Sequence, residues 1–274
     1  MAYFDYGPQD RPVDVVFLHA NCFNARAYRT ILAPLAGALR ILTPDQRGHG
    51  ATDLPTDRPR TSWLDLKDDL LAFLDAMNIG RVALAGHSMG GTASLLAAAE
   101  APQRVRGLAL LDPVILPPPE DRPPMPGGLA NTSPMVQGAL RRRREFPSHQ
   151  AAIDAYRGRG AFRTWTEAQL TDYVAAGFRE RADGMVELTC TPGWEVSNYV
   201  NQQHDSWAAF AASVCPIHIL RAETDSPGRL DGHIEELTAS GRIRIDTIPG
   251  TTHFLPMERP DLVREALTWA VSQP

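Results

Sequence analysis

The chain has 274 residues, 43% of them hydrophobic, with 27 basic and 32 acidic side chains for a formal net charge of −5. That is enough apolar material for a sizeable core, and it leaves no basic footprint for nucleic acid or an anionic membrane surface. The start lacks a basic and then apolar leader pattern, no stretch nears ~18 uninterrupted apolar residues, and Cys22, Cys190 and Cys215 show neither disulfide-framework nor zinc spacing; a cytoplasmic protein is the expectation.

In chain order, an apolar run over residues 13–18 reads as a strand ending in His19-Ala20-Asn21, and residues 25–39 carry helix-like apolar spacing before strand character resumes at Ile41-Leu42. Asp45-Gln46-Arg47-Gly48-His49-Gly50 forms a turn-rich loop. Ser62-x-x-Asp65 predicts the N-cap of a helix with Leu66, Leu70, Phe73, Leu74 and Met77 on one stripe, stopped at Gly80. Residues 82–85 are apolar and run into Gly86-His87-Ser88-Met89-Gly90, after which an Ala- and Leu-rich helix extends to about residue 101. Leu108 to Leu111 is a further strand, ending at Asp112. These runs are too continuously apolar for a sheet with one wet face, so they predict a parallel sheet covered by helices on both sides.

After Asp112 the rhythm breaks, with seven prolines between Pro113 and Pro126, and the next clear core strand is Ile217-His218-Ile219-Leu220. A structureless loop of that length is improbable in a compact domain. Residues 113–213 are therefore expected to fold as a helical cap on a core made of residues 1–112 and 214–274. A helix carrying Leu230, Ile234 and Leu237, a strand over residues 243–248 and a last helix with Leu262, Val263, Ala266, Leu267 and Ala270 complete that core.

The chemistry starts at Ser88. G-x-S-x-G between a strand and a helix places a serine on a strained turn, with glycines giving strand and helix room to pass. A serine hydroxyl needs a base to take its proton and a carboxylate to hold that base's tautomer. His253, just after the last strand, is the expected base. The acid is expected from Arg221-Ala222-Glu223-Thr224-Asp225-Ser226, with Asp225 the choice because the turn can bring a short carboxylate back to the histidine. Asp112, at the end of the preceding strand, and Glu223 remain alternatives. Attack on a carbonyl develops an oxyanion that two backbone amides can hold: those of Met89, opening its helix, and Asn21, in the loop after the first apolar run. His19 and His49, in loops, are expected to frame the site, and His87, next to the nucleophile on the elbow, to project differently, each in a structural role. The run Arg141-Arg142-Arg143-Arg144 reads as a solvated helix face.

Together, His19-Ala20-Asn21, Asp45-x-Arg47-Gly48-His49-Gly50, Gly86-His87-Ser88-Met89-Gly90-Gly91, Ala222-x-x-Asp225 and His253 resemble the α/β-hydrolase superfamily over residues 13–112 and 214–272. The resemblance implies an eight-stranded, mostly parallel sheet, a cap inserted after the sixth strand, and a Ser88-Asp225-His253 triad using neither metal nor organic cofactor. Two positions depart from the pattern: Ala20 and Ala222 stand where glycines are usual. Serine at 88 argues against dehalogenase and epoxide hydrolase chemistry, which uses aspartate there. The expected activity is cleavage of a small apolar carboxylic ester through an acyl-enzyme. Carbon–carbon bond, lactone or thioester hydrolysis on the same triad, or a receptor with vestigial activity, are the other readings.

Overall fold

The computed structural model describes residues 1–121, 133–202 and 204–274; Pro123, Pro124 and Pro126 of the proline-rich stretch lie outside the described residues. Five strands come first: β1 (Tyr3–Tyr6), β2 (Val15–Leu18), β3 (Ile41–Pro44), β4 (Val82–His87) and β5 (Val105–Leu111). Three short strands follow, β6 (Glu145–Phe146), β7 (Phe178–Glu180) and β8 (Val186–Leu188), and then β9 (Ile217–Ala222) and β10 (Ile243–Ile248). The main sheet runs in the order β1-β3-β2-β4-β5-β9-β10, antiparallel only between β1 and β3.

It therefore has seven strands among the described residues, not eight, and the insertion follows its fifth strand, not its sixth. Its edges are β1 and β10, each paired on one side only, and no strand lies beyond either among the described residues. The insertion, expected to be mostly helical, also carries a small antiparallel sheet of β6, β8 and β7.

The apolar runs split by parity. Val15, Phe17, Ala83, Ala85, Ala109 and Leu111 point to one face, under the helix Pro260–Val271. Val16, Leu18, Val82, Leu84, Leu108 and Leu110 point to the other, under the helices Leu64–Ala76, Met89–Glu100 and Ser206–Ala212. Alternation across a strand thus fills two cores at once. Insertion residues Phe146, Ile153, Leu170, Tyr173 and Phe178 join the first core, so the insertion is welded to the sheet. Asn78, at φ 52°, supplies the left-handed residue after the helix Leu64–Ala76, a task expected of Gly80.

Candidate active site

Ser88 stands between β4 and the helix Met89–Glu100 with φ 54° and ψ −119°. That backbone is strained for a residue with a Cβ, and its surroundings leave little choice. A Cβ at Gly86 would lie 2.4 Å from the Gly90 carbonyl carbon, and one at Gly90 would lie 2.4 Å from the Leu18 carbonyl oxygen. The Ser88 amide donates to the Leu111 carbonyl at 2.9 Å, which ties the turn to the end of β5.

The Ser88 hydroxyl lies 2.9 Å from Nε2 of His253, and Nδ1 of His253 lies 2.6 Å from Oδ2 of Asp112. A carboxylate only accepts, so Nδ1 carries the proton and Nε2 is free to accept from the serine. The structure thus brings Ser88 and His253 together but does not place Asp225 beside them. Asp112 directly follows β5 at φ 44°, and its amide donates to the Leu220 carbonyl of β9 at 2.7 Å. Its Oδ1 accepts from the Ala222 amide at 2.9 Å and the Ser226 hydroxyl at 2.6 Å, leaving Oδ2 for the histidine. Ser226, not Asp225, is the residue of that turn whose side chain reaches Asp112. Asp225, at φ 57°, is exposed on the cavity rim, and Glu223 accepts from the Gly250 amide at 2.9 Å. Burial alone would raise the Asp112 carboxyl, but the His253 ring, the Ser226 hydroxyl and the Ala222 amide outweigh it and hold it below the ordinary carboxylate value.

The loop after β2 carries its strain at Cys22, φ 61°, while neither Ala20 nor Ala222 has a positive φ; that is why both accept a Cβ. The Ala20 amide donates to the Tyr28 hydroxyl at 3.2 Å and the Cys22 amide to His49 Nε2 at 3.0 Å. Between these committed groups the Asn21 amide has no acceptor among the described residues. The Met89 amide, first in its helix, has no intrahelical acceptor. The Asn21 side chain is held by the insertion: its Nδ2 donates to the Glu195 carbonyl at 3.2 Å and its Oδ1 accepts from Asn198 at 2.8 Å.

His87 is fully buried and runs a second line through the site. Its Nε2 lies 2.8 Å from the His253 carbonyl, which can only accept, so its Nδ1 accepts from the Tyr28 hydroxyl at 2.7 Å. Ala20, Tyr28, His87 and His253 are thereby linked in one chain. Burial, reinforced by the neighbouring His253, pushes His87 down to about 3, which keeps it neutral. His19 is also held well below the ordinary histidine value, first by burial, and accepts from the Gln46 amide at 2.9 Å.

These groups open on a cavity of about 550 Å³ lined by Asn21, Ser88, Met89 and His253 from the core and by Tyr156, Phe162, Tyr173 and Glu195 from the insertion. Trp165 instead packs against Phe23, Phe162, Tyr173 and Phe254, and Trp207 donates to the Leu116 carbonyl at 2.8 Å. Arg142 also lines the cavity, pairing with Glu195 at 3.3 Å and donating to the Tyr173 hydroxyl. It is not part of a solvated helix face: the preceding helix ends at Leu140, and Arg142 turns inward while Arg144 pairs with Glu187 at 2.9 Å. Tyr28, Ser226, Asn198 and the inward Arg142 escape sequence reasoning, because each matters through a partner far along the chain and no local pattern marks it.

The profile of the alpha/beta hydrolase family matches residues 15–266. The chain belongs to that family. It is 30% identical over 98 residues to a 2-(acetamidomethylene)succinate hydrolase of Mesorhizobium japonicum, an alignment covering 36% of this chain and 34% of that protein; the curated relatives it matches are thus aligned over about a third of their length. Among solved structures, E-2-(acetamidomethylene)succinate hydrolase superposes with a TM-score of 0.79 at 19% identity, covering 98% of this chain and 94% of the other. A thioesterase domain from the curacin biosynthetic pathway gives 0.77 at 17% identity, covering 97% and 94%. At these identities the superpositions speak to the fold. No helix among the described residues is long and apolar enough to cross a membrane.

Proposed function

We propose that the chain is a serine hydrolase cleaving a carboxylic ester through an acyl-enzyme, with Ser88 as nucleophile, His253 as base and Asp112 as the acid of the triad. The observation that carries this reading is the continuous hydrogen-bonded line from the Ser88 hydroxyl through both nitrogens of His253 to Asp112. Serine attack transfers its proton to Nε2, and the negative charge moves to the former carbonyl oxygen, facing the Asn21 and Met89 amides. Collapse expels the alcohol, which takes the proton from Nε2. Water, deprotonated by the same nitrogen, then attacks the acyl carbonyl, and collapse breaks the bond to the Ser88 oxygen, which takes that proton back as the acid leaves. Asp112 keeps the proton on Nδ1 before attack and balances the imidazolium that attack creates. The same line would serve a thioester or a lactone, since each presents a carbonyl and a leaving group that needs a proton.

Labelling by a fluorophosphonate probe followed by peptide mapping tests the reading. Modification at Ser88, lost in Ser88→Ala and slowed in Asp112→Asn, is the expected result. Unchanged labelling or unchanged ester turnover in Ser88→Ala would overturn it.

A further inference from the structure

The wall facing the triad is built differently from a pocket meant only for hydrocarbon. Arg142 and Glu195 both line the cavity with side chains only 19% and 7% exposed, and burying charge is costly unless something compensates for it. The compensation is incomplete. One guanidinium nitrogen reaches one carboxylate oxygen at 3.3 Å, and the other nitrogen is spent on the neutral Tyr173 hydroxyl. The paired, two-armed contact that a guanidinium makes best with a carboxylate is not formed. The second oxygen of Glu195 accepts from the Tyr199 hydroxyl at 3.3 Å.

Beside this pair stands a second unfilled donor. The Tyr156 hydroxyl is buried beside the Arg142 guanidinium, which can only donate to it, and its own hydrogen has no acceptor among the described residues, although its ring is fixed against Phe146, Phe162 and Tyr173. Tyr156 lines the same cavity as Ser88 and Arg142. A buried hydroxyl left unpaired destabilises a fold, so its place on a cavity wall suits an oxygen arriving from outside. Arg142 and Tyr156 both offer hydrogens.

We infer that the substrate carries a carboxylate distant from its scissile carbonyl, bound by the Arg142 guanidinium together with the Tyr156 hydroxyl. The inference rests on Ser88 being the nucleophile and names the substrate class: acid-ended acyl esters in place of the purely apolar esters expected from composition. A chain with net charge −5 repels anionic substrates at long range. Recognition of such a substrate therefore has to be local, and Arg142 is a cation set inside the cavity.

The test uses monoethyl esters of succinate, glutarate and adipate beside ethyl esters of the same chain length ending in an isopropyl group, which matches a carboxylate in shape but carries no charge. Hydrolysis by the wild-type protein is followed by titration of released acid, and binding to Ser88→Ala by calorimetry. At least one acid-ended ester is expected to be preferred over its isopropyl partner by about tenfold or more, the size of a hydrogen bond to a charged group. That preference should collapse toward one in Arg142→Met and fall several-fold in Tyr156→Phe. Since the Tyr156 hydroxyl donates to no acceptor among the described residues, Tyr156→Phe keeps the test open should Arg142→Met fail to fold. Equal treatment of acid-ended and isopropyl-ended esters, or a preference that survives both substitutions, would overturn the inference. Arg142-dependent binding of an acid-ended ester to Ser88→Ala without turnover by the wild type would support it and count against ester hydrolysis. Ser88-dependent hydrolysis of both classes at equal rates would do the reverse.

Discussion

The two sides of the cavity hold their polar groups by different means. On the core side, Ser88 and Asp112 each sit one residue beyond a strand, and backbone bonds to Leu111 and Leu220 fix them; the sheet register places the side chains. On the insertion side, Arg142, Glu195 and Tyr199 meet across 53 residues or fewer by side-chain contacts alone. Arg142 follows a helix end and Tyr156 closes a short helix. A site built on strand ends inherits the stiffness of the ladder. One built on paired side chains keeps its shape only while each partner stays in place, which suits substrate recognition better than proton transfer.

The sharpest way to break this comparison is at Ser88. If the core side is the reacting side, Ser88→Ala should lower kcat by something on the order of 10⁶, the scale seen when the serine of a comparable triad is removed, with the unfolding transition unchanged. The next effect separates the two aspartates. Asp112→Asn should cost roughly 10⁴ in kcat through loss of the histidine's tautomer control, whereas Asp225→Asn should leave kcat near the wild-type value. Steady-state kinetics on one ester decides it, and a large loss at Asp225 with none at Asp112 would reverse the assignment of the acid.

A smaller effect tests how the insertion reaches across to the core. Asn198 donates to Asn21 at 2.8 Å and accepts from Arg60 at the same distance, so it anchors the loop that carries the Asn21 amide, the proposed oxyanion donor. Asn198→Ala should lower kcat by about tenfold, with a ceiling near the ~10² that a modest misplacement of catalytic groups can cost, and change KM far less. A loss appearing only in KM would mean that Asn198 serves the substrate wall instead.

The same contrast explains what the sequence made legible. The α/β order, the parity of the apolar runs and the positions of Ser88, Asn21, Met89 and His253 all depend on short stretches in which strand, turn and helix follow one another. The acid does not. Asp112 and Asp225 follow neighbouring parallel strands, and the pairing of Leu111 with Leu220 puts the ends of β5 and β9 side by side. What decides between them is that Ser226 and the Ala222 amide take one oxygen of Asp112 and aim the other at His253, and no local signal announces such a bond across 114 residues. The arginine run misleads for a related reason. Four adjacent cations look solvated, yet the end of the helix at Leu140 lets one of them turn inward.

The smallest effect concerns His87, on the core side but outside the triad. Its neighbours leave it no room for a second proton, because Nε2 already donates to the His253 carbonyl and Nδ1 accepts from Tyr28. In the unfolded chain the same ring would take up a proton near the ordinary value of 6.5, while in the fold it refuses one until about 3. Between those limits the unfolded state binds the extra proton, so stability falls as the pH drops and is recovered as it rises. Each histidine of this kind contributes a slope of up to about 1.4 kcal/mol per pH unit, and His19, also held low by burial, contributes in the same direction. In His87→Gln the side-chain amide can still donate to the His253 carbonyl but does not titrate. Urea unfolding at pH 7, 5.5 and 4.5 should therefore show a shallower loss of stability in the variant, by about that slope in the acidic interval, together with a lower value at pH 7 from the lost Tyr28 contact. Parallel curves would mean that the folded protein protonates His87 freely, and the hydrogen-bonded line from Ala20 to the His253 carbonyl would then need a different tautomer and lose its role in holding the base in place.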